Sequence, residues 1–454
     1  MRDRFLWIAV ALYAALFTFL GAAKFAVHRN FVDFGIFAQT TASAFGCFCN
    51  TVEGSHWAVH FSPILYLAGA VVWFWHSPYA LIALQSIALA LVMPPVYGLV
   101  ARRAPRSVAR LAVLVVFLYP ALAGLAFNDF HENDFAPAAV AWMLWAFDGG
   151  YVSAAFLFAA LALAVKEDQA IFLIAAGAFG YVRFRNTATG RAALAVGVAA
   201  AIVAGAFVLH IQPAAATNPH WSPERFYSWT PADVRALFFG GILARAGFFV
   251  LAFMPLLFLP FRSGMMWLAA LPIAEVVLSR MPTTFTMGSH YAGAWLGYVF
   301  AAFAVAVRSM PAARSRRALL WCAAICVVEL LVANPLHPGL NLHRPQARDR
   351  ALDSYLATLP NDISVASQEE AYTHLALRDP YATVLPEDAS LPVAAPFALI
   401  DRDYPESPRL QEYGGALDRP CFVAASQRGA ITLYRALCAG SRSSRSDSSA
   451  RTGQ

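Results

Sequence analysis

The sequence predicts an α-helical polytopic membrane protein of about 11 transmembrane helices, N-terminus inside and C-terminus outside, with a small α/β extracytoplasmic C-terminal domain. Three observations carry this reading. Of 454 residues, 59% are hydrophobic, 14% aromatic and only 13% charged, whereas soluble chains carry about 25% charged residues. Apolar runs of about 20 residues, long enough to cross a hydrocarbon core, recur along the chain. Lys and Arg gather at most of the alternate turns between those runs, as the positive-inside rule requires. The net charge of +6 therefore marks cytoplasmic helix ends and gives no sign of nucleic acid as a partner.

The first span runs from about Phe5 to Ala23, behind Arg2 and Arg4, which places the N-terminus in the cytoplasm. It exceeds the apolar length of a signal peptide, so it reads as uncleaved. Phe61 to Trp75, flanked by His60 and His76, is short for a crossing and reads as a helix lying at the interface. Keeping it outside makes Pro78 to Ala101 the second span, puts Arg102, Arg103 and Arg106 in the cytoplasm, and lets Val108 to Phe127 deliver NDFHEND to the outer face. Further spans follow near 135–148, 151–166, 169–183, 192–210, 237–261, 264–279, 291–307 and 318–334. Arg183, Arg185, Arg191, Arg262, Arg308, Arg314, Arg316 and Arg317 fall in inner loops, and Asp148-Gly149-Gly150 is the one neutral turn.

Residues 1–340 thus form the membrane domain with its outer loops, and 341–440 read as a soluble outer domain. DISVAS, YATVLP and PFALID alternate as strands do, QEEAYTHLAL reads as a helix, and CFVAASQRGAITLYRA as a hairpin turning at Arg428-Gly429. Residues 441–454, polar and of low complexity, read as a disordered tail. Cys421 and Cys438 flank the hairpin on the oxidising side, leaving a disulfide and two free thiols equally open. Cys322 and Cys326 read as packing residues within a span. Cys47 and Cys49 are expected to be small buried residues, since two cysteines are too few for a zinc site.

Carboxylates and histidines outside the terminal domain concentrate on the outer side. Asp33, Glu53, His56 and His60 lie in the first outer loop, and Asp129, His131, Glu132 and Asp134 in the second. Lys166, Glu167 and Asp168 lie in the third, and His290 and Tyr291 in the fifth. Ionisable groups at membrane depth are costly unless they pair or line a wet cavity, so their gathering on one face points to a shared cavity. Each cluster also has a plainer reading. Asp33 suits the N-cap of the helix FGIFAQTTASAFG, His56 and His60 share a helix face with or without a metal, Lys166-Glu167-Asp168 could end a span, and His290 could sit at the interface.

FVDFGIFAQ, HFSPILYLAGAVVWFW, NDFHENDFAP, LAVKEDQAIF and GSHYAGAWLGY, taken together, resemble the signature of a bacterial and archaeal family of predicted multi-spanning membrane proteins of unknown function, similar to the GT-C glycosyltransferase superfamily. The resemblance runs from about residue 25 to about residue 390, where SQEEAYTHLALRDPYATVLP is similar to the family's outer-domain segment. It implies transfer of a sugar from a polyprenyl-phosphate donor to a glycan, lipid or protein acceptor at the outer face of the plasma (inner) membrane. On that resemblance the catalytic residues are Asp33, which deprotonates or orients the acceptor, with Asp129 and Glu132. His56, His60, Lys166, Glu167, Asp168, His290 and Tyr291 bind substrate, Lys166 facing phosphate with Arg29 and Arg280 in reserve. A divalent metal, Mg or Mn, on Asp33, Asp129, His131 and Glu132 is an open alternative, because the first loop lacks a strict Asp-x-Asp. The competing class is a non-catalytic protein that binds or translocates a lipid-linked substrate. A secondary transporter is disfavoured, since Glu275 and Glu329 lie towards outer helix ends and no inverted repeat is seen.

Overall fold

The apolar runs are helical in the computed structural model, which describes residues 2–185, 187–215, 230, 232, 235, 241–333, 336, 344–386, 393, 395–413 and 422–437. Three helices are long and apolar enough to cross a membrane alone: Arg4–Phe25, Pro78–Ala101 and Ala188–Ala215. Arg106–Phe117 and Pro120–Phe127 qualify together but meet at 48°. Pro120 has no amide hydrogen for the preceding turn, so the run expected as one straight span restarts there. Val152–Leu163, Ala292–Arg308 and Ile242–Leu256 are shorter apolar helices.

The run expected to continue to residue 261 as one helix is corrected by the structure. Its α-helix is Ile242–Phe253, followed by short tight turns at Met254–Leu256 and Leu259–Arg262. Pro255 and Pro260 sit at the starts of those turns, and Leu257 and Phe258 between them take φ of 49° and 53°. Residues 237–240 of that expected span, Cys421, Cys438 and the tail 441–454 lie outside the described residues.

The chain forms two compact units, Met1–Phe25 with Thr40–Arg344, and Ala26–Gln39 with Pro345–Gln454. In the first, Ala292–Arg308 is buried along nearly its whole length and packs on Ala136–Gly149. Gly293 and Gly297 permit this close approach, since a Cβ at Gly293 would stand 2.3 Å from the Asn133 carbonyl and one at Gly297 2.7 Å from that of Pro137. At the other end of these two helices, Asp148 binds Arg308 through both oxygens at 2.6 Å and also pairs with Arg102. The neutral turn therefore joins arginines from two expected inner loops. A short hairpin of β1 (Cys49–Asn50) and β2 (Gly54–Ser55) follows the helix Val32–Ala42. Cys47 and Cys49 are not free buried residues: they form a disulfide, with Cα atoms 5.2 Å apart. Phe48, at φ 50°, turns the chain between them. Cys322 and Cys326 are buried free thiols.

The second unit contains a five-stranded mixed sheet. Its strands are β3 (Val365–Ser367), β4 (Thr383–Val384), β5 (Phe397–Asp401), β6 (Phe422–Arg428) and β7 (Ile431–Ala436), in the order β4-β3-β5-β7-β6. β3 is parallel to β4 and β5, and the β6–β7 hairpin adds antiparallel. The helix Glu369–Leu375 connects β3 to β4, as a parallel crossover requires. The hairpin turns at Gly429-Ala430, one residue later than expected, because Gly429 takes the positive φ of 62°. Ala366, Leu385, Ala398, Ile400, Tyr413 and Tyr434 form the core.

Helix Val32–Ala42 begins in this second unit. Gln39 Nε2 donates to the carbonyls of Asp379 (3.2 Å) and Ala382 (2.7 Å), and its Oε1 accepts from the Tyr372 hydroxyl at 3.1 Å. Gly35 packs against the Tyr372 ring, where a Cβ would come within 2.3 Å.

Candidate functional site

The polar residues of the first unit cluster because their connections precede helices that pack together. Asn128 to His131 lead into the tight turn Glu132–Phe135 and then the helix Ala136–Gly149. Lys166 and Glu167 precede Asp168–Arg183, and His290 and Tyr291 precede Ala292–Arg308. Each segment is thus held at a helix N-terminus, where backbone N–H groups favour negative charge. The close approach at Gly293 brings the His290 ring flat against that of His131, with centroids 3.9 Å apart and planes 8° from parallel.

Glu132, fully buried, is the centre of this group. His131 Nδ1 lies 2.7 Å from one of its oxygens and Lys166 Nζ 3.5 Å from the other. Neither approach has hydrogen-bond geometry, so among the described residues both oxygens lack a donor. Burial alone would raise the Glu132 pKa, but His131 and Lys166 outweigh it and hold the carboxyl well below its usual range. Burial pushes His131 down against the pull of Glu132, and pushes His290 far down with help from His131 and Lys166.

Glu167 accepts from the Phe61 amide at 3.0 Å and lies 2.9 Å from His60 Nδ1. Burial would raise it, yet His60 and Lys166 bring it down to about 2. His56 lies 3.7 Å from Glu53, and its ring stands 5.8 Å from that of His60. Asp129 is paired with Lys24 at 2.6 Å. Sequence reasoning missed Lys24, and also Gln169 and Tyr298. Gln169 is fully buried, and like Asp168 Oδ1 and the Tyr298 hydroxyl it has polar atoms without a hydrogen bond among the described residues. The Tyr298 ring meets Phe172 edge-on, one turn along the helix that starts at Asp168. Two signals were present: Gln169 directly follows Lys166-Glu167-Asp168, and Tyr298 closes the motif GSHYAGAWLGY.

Asp33 belongs to the second unit. It stands in the first turn of Val32–Ala42, second in the helix and not at the N-cap expected for it. There a carboxylate still complements the helix dipole. Of the four residues considered for Mg or Mn, Asp129 is matched by Lys24, and Glu132 by Lys166 and His131.

What this arrangement can do is receive a polar ligand. A buried ammonium faces a carboxylate that lacks donors, beside further buried groups with open hydrogen-bonding capacity. Buried polar groups are normally satisfied, and unmet capacity in a cluster is where water or a ligand is taken up.

No curated protein matches the chain. Among solved structures, ArnT from Cupriavidus metallidurans bound to undecaprenyl phosphate is similar at 13% identity and a TM-score of 0.51, covering 95% of this chain and 98% of that one. ArnT from the same organism in the apo state is similar at 13% identity and a TM-score of 0.49, covering 94% of this chain and 97% of that one. The fold is thus like that of ArnT over nearly the whole chain. A family model described as "Predicted membrane protein (DUF2079)" matches residues 29–398. With most of its length matched, from before Asp33 to within β5, the chain belongs to the DUF2079 family of predicted membrane proteins.

Proposed function

We propose that this protein transfers a sugar from a polyprenyl-phosphate donor to an acceptor at the outer face of the membrane. The observation that carries the reading is the buried Lys166–Glu132–His131 group with its unmet hydrogen-bonding capacity, on a fold like that of ArnT along 95% of the chain. In such a transfer the bond from the sugar's anomeric carbon to phosphate oxygen breaks, and the electron pair leaves with the carrier phosphate. The acceptor oxygen or nitrogen forms the new bond to that carbon and gives up its proton to a base. Negative charge grows on the leaving phosphate, and a fixed ammonium in a water-poor site stabilises it strongly. Lys166 takes that role. Glu132, His60 and Glu167 hold and orient it, and Asp168, Gln169, His290 and Tyr291 offer hydrogen bonds to sugar hydroxyls. Asp33 is assigned as the base that receives the acceptor proton, a role carried over from the resemblance at FVDFGIFAQ. The Cys47–Cys49 disulfide supports an oxidising outer location for that first loop.

A second reading, a protein that binds or moves a lipid-linked substrate without chemistry, draws on the pairing of Asp129 with Lys24 and Glu132 with Lys166, which suits a binding site as well as a catalytic one. Radiolabelled polyprenyl-phosphate sugars offered to the purified protein, with and without Mg or Mn, separate the two. The transfer reading expects product from wild type, none from Asp33→Asn with lipid binding intact, and weakened donor binding in Lys166→Met. Donor bound but never consumed, in wild type and variants alike, would sink it in favour of the second reading.

A further inference from the structure

Three residues of the second unit, none of them used above, converge on one point. His28 lies in the segment after the first helix, Asp353 on the helix Ala347–Leu356, and His374 in the last turn of Glu369–Leu375. His28 Nε2 is 3.1 Å and His374 Nδ1 3.4 Å from the same Asp353 oxygen, and all three atoms lie within 4.8 Å of one another. In a tetrahedral site with metal–nitrogen and metal–oxygen bonds of about 2.0–2.1 Å, neighbouring ligand atoms stand about 3.3 Å apart. The observed separations bracket that value.

The hydrogen bonding of His28 points to a cation. The side chain is wholly buried, and its Nδ1 lies 2.8 Å from the Glu370 carbonyl, which can only accept. The proton therefore sits on Nδ1, which leaves Nε2, 3.1 Å from the Asp353 oxygen, with an unprotonated lone pair. Among the described residues no hydrogen bond satisfies that nitrogen. An unprotonated nitrogen and a carboxylate oxygen 3.1 Å apart repel unless something positive lies close to both. A second proton on His28 would answer this only by burying a charged imidazolium, with the His374 ring stacked 3.7 Å from it. A metal ion answers it for both rings together, and an Nδ1–H donated to a backbone carbonyl is the usual outer support of a metal-bound histidine. His28 also takes a φ of 54°, a strained conformation of the kind kept at functional positions. The Asp353 side chain is half-exposed, which leaves room for water as a fourth ligand.

We infer that His28, Asp353 and His374 form a divalent transition-metal site, with a two-imidazole, one-carboxylate ligand set that suits zinc. Imidazole nitrogens favour zinc over magnesium or calcium. The ion clamps the segment five residues before Asp33 to two helices of the outer unit, and so fixes the start of the helix that carries Asp33. The site stands whether or not the protein transfers a sugar.

The test uses the full-length protein in detergent, stripped with EDTA, reloaded with zinc alone and desalted. Elemental analysis should return one zinc per chain in wild type, and zinc should raise its thermal midpoint. Asp353→Asn and His374→Ala should bind zinc more than about 100-fold more weakly and lose the midpoint shift. Asp353→Asn keeps the shape of a half-exposed side chain and guards against simple misfolding. Cobalt in place of zinc should give the intense visible bands of a tetrahedral site in wild type only. Substoichiometric zinc in wild type, or undiminished zinc and cobalt signals in both variants, would overturn the site and mark any bound metal as adventitious.

Discussion

Glu132 and its neighbours show how much a single buried charge organises. A carboxylate with no solvent exposure needs compensation, and it draws on Lys166 and His131 from two different connections. The histidines beside it make stability depend on pH. His131 and His290 have pKa values pushed below the ordinary imidazole value of about 6.5. The unfolded chain therefore binds more protons than the folded one between the lowered values and about 6.5. Their contribution is fully present above that pH and is lost as pH falls. The thermal midpoint in detergent should decline between pH 7.5 and 5.5, and His290→Asn should flatten the decline. An unchanged slope in the variant would mean that His290 is not the titrating group. At this scale the sequence revealed residue types and little of their pairing. NDFHENDF and KED were visible as clusters, whereas the Lys24–Asp129 pair joins positions far apart in the chain and was not.

Helices were the most legible elements, because an apolar run in lipid has few alternatives to satisfying its own backbone. The breaks were less legible, although their cause was written in the sequence. Pro120 bends one run by 48°, and Pro255 and Pro260 end another. An apolar-run count passes over prolines, whose effect depends on whether neighbouring helices re-satisfy the freed carbonyls. Glycines act the other way, by letting elements come close. Gly293→Ala should lower unfolding stability by about 1–3 kcal/mol through overpacking against the Asn133 carbonyl. Gly205→Ala, with nothing within 4 Å of its new methyl, should be neutral or stabilising by up to about 1 kcal/mol. Denaturant unfolding in detergent compares the two, and equal stability of both variants would show that the Gly293 approach is not tight.

At the scale of the molecule, residues expected on one side of the membrane gather with one another within the first unit. Arg102, Asp148 and Arg308, all expected inside, form one network, and Asp3 binds Arg110. His60, Glu132, Lys166 and Glu167, all expected outside, form another. An arrangement with the N-terminus inside and the C-terminus outside makes a direct prediction. Alkaline phosphatase fused after Ala436 should be active and a green fluorescent protein fused there dark, with the reverse at Arg183. A fluorescent fusion at Ala436 would reverse the orientation. Composition and local pattern were enough to read a helical membrane protein and the strands after residue 344, because hydrophobic length and strand alternation are local properties that any short window displays. Family membership was legible too, since its motifs lie within short segments. Three things were decided only by the folded chain: the joining of Ala26–Gln39 to the residues after 344, the Cys47–Cys49 bond in place of two free thiols, and the meeting of His28 with Asp353 and His374. Each depends on backbone conformation or on contacts between distant positions, and a linear pattern carries no record of which distant side chain will arrive at a given point in space.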